Sequence, residues 1–166
     1  MKAAIIYWSK SGNTEKVAKA IEACMQPSDI DVELVSVDSA ENLDFFDFDL
    51  VCLGFPIYSF RPAEVMDRYL LDSFRRYYKQ GRVVFGAPKV PGKNAVIFAT
   101  FAGAHTGMTE PAPATKYVAL IFEHLGFTVL DEIHIVGEFH GKLDYSTKGK
   151  LGDIRGRPNE TDLAEV

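Results

Sequence analysis

Tyr7-Trp8-Ser9-Lys10-Ser11-Gly12-Asn13-Thr14 stands between an apolar run, Lys2–Tyr7, and a run patterned as a helix, Asn13–Met25. A buried strand entering such a turn and then a helix presents unpaired N–H groups and the positive end of the helix dipole. That combination predicts a bound phosphate. Gly12 lets the backbone approach closely. Ser9, Ser11 and Thr14 offer hydroxyl donors, and Asn13 offers its amide. An ordinary N-cap would need only Ser11 or Asn13, so the density of donors favours phosphate. Neither Gly-x-x-x-x-Gly-Lys-Ser/Thr nor Gly-x-Gly-x-x-Gly is present, which excludes the P-loop and the dinucleotide fingerprint.

At 166 residues with 47% hydrophobic content, the chain is long and apolar enough for one domain over 1–166 with a substantial core. A net charge of −5 argues against a nucleic-acid partner, which needs a concentrated basic face. Cys24 and Cys52 lie in apolar contexts with no Cys-x-x-Cys, so both are expected to be buried thiols in a reducing compartment. The apolar run after Met1-Lys2 is short, Ser9-Lys10 interrupts it, and no cleavage pattern follows. No stretch reaches membrane-spanning length. A cytoplasmic protein with no membrane partner is expected.

Strand and helix patterns alternate along the chain. Strands are expected at Lys2–Tyr7, 31–37, 50–54, Asn94–Phe101 and 127–136. Helices are expected at Asn13–Met25, 62–80 and 113–125, the last closed by Gly126. In the first helix Val17, Ile21 and Cys24 or Met25 share a face. In the second, Val65, Met66, Tyr69, Leu70, Phe74 and Tyr77 form an apolar stripe. Residues 81–93, with Gly86, Pro88, Pro91 and Gly92, read as a loop, and no internal repeat appears. The alternation predicts an α/β fold: a doubly wound, five-stranded parallel sheet of order 2-1-3-4-5 with helices on both faces. Its ligand crevice falls where the topology switches, so the loops after strands one, three and four should converge.

The run Ser9-Lys10-Ser11-Gly12-Asn13-Thr14 closely resembles the phosphate loop of flavodoxins, Thr/Ser-x-Thr/Ser-Gly-x-Thr. Tyr7-Trp8 resembles the short-chain bacterial members, and the order of elements extends the likeness over about 1–137. The resemblance implies a flavodoxin-like fold and FMN as cofactor, with its phosphate in the first loop and its ring between the second and third. Lys10 departs from the common pattern and is read as pointing to solvent. In the second loop, Pro56-Ile57-Tyr58-Ser59-Phe60-Arg61, a flat ring needs aromatic walls, and Tyr58 and Phe60 are the candidates. Flavodoxins often carry a Trp in this region, whereas the single Trp of this chain is Trp8. Arg61 stands where a cation would stabilise a reduced flavin or meet an acidic substrate. In the third loop, Thr100, Phe101, Ala102 and Gly103 would bring backbone N–H groups to the flavin edge. His105 is the candidate for proton chemistry, although loop histidines are more often plain surface. The third loop lacks the Asp-Ser-x-Tyr pattern of the carriers. His124, His134 and His140 have no metal-ligand spacing, and no metal is expected.

Residues 138–158 form a long, glycine-punctuated, irregular segment of the length normally reserved for function or mobility. The helix that starts near Asn159 stops almost at once. The sheet face a full final helix would cover is therefore expected to be covered by this segment or by a second copy of the chain, as a homodimer. The expected function is FMN-dependent electron transfer between redox protein partners, with no catalytic protein residue. The alternatives are an NAD(P)H-dependent FMN oxidoreductase or quinone reductase, and a flavodoxin-fold interaction module. A receiver domain of the same topology is excluded, because Tyr7-Trp8-Ser9 offers no acidic pocket.

Overall fold

A computed structural model describes residues 1–40 and 43–166. Five parallel strands, β1 (Lys2–Tyr7), β2 (Asp31–Ser36), β3 (Leu50–Tyr58), β5 (Asn94–Phe101) and β6 (Thr128–Val136), form one sheet in the order β2-β1-β3-β5-β6. A two-residue strand, β4 (Arg61–Pro62), pairs antiparallel with the end of β3. With β4 set aside, the order is the expected 2-1-3-4-5. Three full helices, α1 (Asn13–Met25), α2 (Glu64–Lys79) and α3 (Ala112–His124), connect the strands, and two short ones follow, α4 (Leu143–Thr147) and α5 (Glu160–Ala164).

The central strands are apolar throughout because both faces are covered. Successive side chains point to opposite faces. Ala4, Ile6, Val51, Leu53 and Phe55 join Met66 and Leu70 of α2 and Val118 and Phe122 of α3 in one core. Ile5, Cys52, Phe98 and Ile135 join Val17, Ala18 and Ile21 of α1, with Leu163 of α5 packed at the margin, in a second. Burial pushes the Cys52 thiol up to about 12. Cys24, expected to be buried, is exposed. In the last turn of α1 it is Met25 that packs against the core.

Two boundaries differ from the sequence pattern by two residues or more, for one reason. β3 runs four residues past Gly54 and folds back as a hairpin, so Pro62 belongs to β4 and α2 starts at Glu64. Pairing with β1 ends at Tyr7↔Gly54, whereas pairing with β5 continues to Pro56↔Thr100. Pro56 thus sits where β3 has a single neighbour, and its missing N–H costs no ladder bond. The segment 138–158, read as irregular, holds α4 and a bridge between Gly149 and Gly152. No helix among the described residues is long and apolar enough to cross a membrane.

Candidate functional site

All five parallel strands end at the same edge of the sheet, so the loops leaving β1, β3, β5 and β6 gather there. The turn before α1 is built around Gly12, the helix N-cap, at φ 92°. This left-handed conformation suits glycine, and a side chain there would meet nothing within 4 Å. The Gly12 N–H donates to Ser9 Oγ at 3.1 Å, and the Gly12 carbonyl accepts the Lys16 N–H at 2.9 Å. No side chain caps the helix. The N–H groups of Asn13, Thr14 and Glu15 therefore find no acceptor among the described residues. Three free N–H groups at the dipole's positive end, beside the Ser11 hydroxyl and Lys10, fit an anionic oxygen cluster such as a phosphate.

From this turn a cleft of about 340 Å³ runs along the sheet edge. Lys10, Ser11 and Asn13 line one end of it. Pro56, Ile57 and Tyr58 of β3 and Thr100, Phe101 and Ala102 of β5 supply further walls. The last wall is Gly137-Glu138-Phe139-His140-Gly141, which leaves β6. An apolar and aromatic lining with a few polar groups at one end fits a flat ring carrying a phosphorylated tail. Burial raises the Tyr58 phenol above its ordinary value, so it stays neutral near pH 7.

Two residues expected to donate to phosphate also hold the site together. Thr14 is buried, and its hydroxyl shares a hydrogen bond of 2.8 Å with the Thr100 hydroxyl, joining α1 to β5. The Asn13 amide donates to the Glu138 carbonyl at 2.9 Å, joining α1 to the loop after β6. That approach requires Gly137, since a Cβ there would lie 2.7 Å from Asn13 Nδ2.

Ser9, Gly12 and Thr14 shape the turn without lining the cleft. Ser59, Phe60, Arg61, Gly103 and His105 are placed outside it. Phe60 and Arg61 open instead onto a neighbouring cavity. Gly103 closes a turn with Gly107, and the His105 ring stands edge-on to Tyr145 at 5.5 Å. The segment 143–154 covers this third loop: the Lys150 N–H donates to the Ala104 carbonyl at 2.9 Å, and Ile154 is fully buried.

Sequence reasoning did not reach residues 137–141. The available signal was the juxtaposition of Gly, Phe, His and Gly directly after the carboxyl end of a strand adjoining β5. Their position is fixed by Ser146, 1% exposed, whose Oγ accepts the Phe139 N–H at 2.8 Å and donates to the Phe139 carbonyl at 3.2 Å. Glu138 is held by the Gly156 N–H at 2.8 Å and lies 3.9 Å from His140 Nδ1. Among the described residues no cluster of His, Cys, Asp and Glu could hold a metal ion.

Fold and edge together define a doubly wound α/β protein in which an uncapped helix start opens onto a cleft with aromatic walls. The family model of the flavodoxin domain matches residues 4–149, and the chain belongs to that family. Over 99 residues it is 30% identical to a flavodoxin of Megasphaera elsdenii, an alignment spanning 58% of this chain and 63% of that protein. The chain thus matches just under two thirds of that relative's length. The oxidised flavodoxin 1 of Bacillus cereus superposes with a TM-score of 0.68 at 17% identity, over 99% of this chain and 91% of that one. A WrbA-like flavodoxin-fold protein of Agrobacterium tumefaciens superposes with a TM-score of 0.59 at 15% identity, over 87% of each chain. At such identities these two share the fold alone. Family membership implies a flavin cofactor.

Proposed function

We propose that this chain binds FMN at the sheet edge and passes electrons between redox protein partners. The observation that carries the reading is the uncapped start of α1: three N–H groups without an acceptor among the described residues, beside Lys10, Ser11 and Asn13 at the end of a cleft walled by Tyr58 and Phe139. When bound, FMN supplies the redox chemistry, accepting and releasing one or two electrons. The α1 turn would hold the phosphate through backbone N–H groups and the Ser9 and Ser11 hydroxyls. Lys10 adds a positive charge at the same end. Pro56, Ile57, Tyr58, Phe101 and Phe139 exclude water from the ring, while the Ala102 N–H, just past the end of β5 and without an acceptor among the described residues, is available to its polar edge. Phosphate anchoring and ring enclosure come from four loops, and the Thr14–Thr100 and Asn13–Glu138 ties hold three of them in register.

The test is a potentiometric titration of FMN-loaded protein without oxygen. Two resolved one-electron steps support carriage between protein partners. A single two-electron step, with turnover of reduced nicotinamide, replaces this reading with the oxidoreductase one. Failure to bind FMN in excess removes both and leaves an interaction module.

A further inference from the structure

A second cavity, of about 470 Å³, lies beside the cleft between the start of α2 and α3. The β3–β4 hairpin serves both. Its first strand lines the cleft, and its turn and second strand line the cavity. The cavity is walled by Phe60, Arg61, Pro62, Asp67, Leu71 and Tyr117.

Three features mark it as more than a packing gap. The first is the turn itself. Ser59 and Phe60 have φ of 50° and 66°, two successive left-handed residues of which neither is glycine. A two-residue hairpin of this hand is served without strain by Asn-Gly, and a bulky residue at positive φ is an outlier that points to function. The strained conformation sets a half-exposed Phe60 ring against the cavity.

The second feature is charge. Every other arginine in the chain engages a carboxylate or a carbonyl. The Arg61 guanidinium has no hydrogen-bond or ion-pair partner among the described residues. Its planar fork is a ready receptor for a carboxylate, sulfonate or phosphate.

The third feature is what engages the one opposing charge of the lining. Asp67 is the single acidic residue of the lining, and Tyr117 Oη donates to Asp67 Oδ1 at 2.8 Å. Burial and that bond hold the phenol up at about 12, so Tyr117 is a neutral aromatic surface that occupies one oxygen of Asp67. The cavity thus offers flat walls on Phe60, Pro62 and Tyr117 and, among the described residues, one unpaired cation in the lining, the Asp67 carboxylate being engaged by Tyr117.

We propose that this cavity is a binding site for a planar organic anion, an aromatic or quinonoid ring bearing one acidic group. Arg61 takes the acid, and the ring lies against Phe60 and Tyr117. The site is distinct from the flavin cleft and does not depend on the flavin reading.

The experiment is isothermal titration with 2-naphthoate, and with 2-naphthylmethanol as its uncharged match, run without FMN and again with FMN in excess. Saturable binding of one naphthoate under both conditions is expected, with the neutral compound at least about tenfold weaker. Arg61→Ala should weaken naphthoate about tenfold and erase the preference for the acid, and Arg61→Lys should restore part of it, since the charge remains and the fork is lost. Absence of saturable binding overturns the proposal. So does equal affinity for the two compounds, an unaltered Arg61→Ala variant, or displacement of naphthoate by FMN. If the protein fails to take up FMN, the titration without FMN still decides the question.

Discussion

Ser146 is the smallest change with the widest consequence at this site. Its hydroxyl is the hydrogen-bond partner of both the N–H and the carbonyl of Phe139, seven residues earlier, and is itself buried. Ser146→Ala deletes both bonds and strands two backbone groups in a part-buried position. Each bond is worth about 0.5–1.5 kcal/mol net, so the variant should lose about 1–3 kcal/mol of stability. For a chain of this length that lowers Tm by about 3–8 °C. The loop 137–141 is a wall of the cleft, and its release should also be felt by the cofactor. If re-ordering the loop on binding costs about 1 kcal/mol, FMN affinity falls about fivefold. Calorimetry of the FMN-free protein gives the first number, and quenching of FMN fluorescence gives the second. Thr147→Ala, which removes one exposed bond to the Leu143 carbonyl, is the matched control and should stay within about 0.5 kcal/mol. A Ser146→Ala protein with unchanged Tm and unchanged FMN affinity would refute the assignment of the C-terminal segment as the support of this wall.

Gly54→Ala places a Cβ 2.0 Å from the Phe98 ring in the middle of β3. Because the ring is fully buried, the clash should cost about 3 kcal/mol or abolish folding, read from urea denaturation. Native protein treated with iodoacetamide near pH 8 should gain one adduct, at exposed Cys24. Cys52, buried with its thiol raised to about 12, should react only after unfolding, and peptide mass spectrometry locates both. The Arg157 guanidinium holds the Asp162 carboxyl below its ordinary value of 3.8, so this pair stabilises the fold above that pH and its contribution is lost as pH falls through the lowered value. Asp162→Asn should therefore cost about 1 kcal/mol at neutral pH, with the difference from the parent closing below about pH 4 in denaturation curves.

The parts of the fold legible in the sequence are those that local chemistry specifies. The strand–turn–helix from Lys2 to Met25, the continuous apolar strands and the closing Gly126 each carry their own pattern, and the sheet order follows from alternation and handedness. The left-handed turn at Gly12 between that strand and helix is legible for the same reason. The second loop was misread in extent. Gly54 and Pro56 look like the end of a strand, yet β3 continues because the loss of β1 as a neighbour leaves Pro56 no ladder bond to break. The wall at 137–141 was invisible because its cause is not local. It is placed by Asn13, more than a hundred residues earlier, and by Ser146 from the far side of a loop. His105, the titratable residue of the third loop, rests edge-on to Tyr145 and does not line the cleft. The long C-terminal segment supplies the contrast. It covers the third loop and braces the wall after β6. Where this chain departs most from a regular doubly wound domain, it does so next to the cleft, as a segment shaped by a site rather than by a core would do.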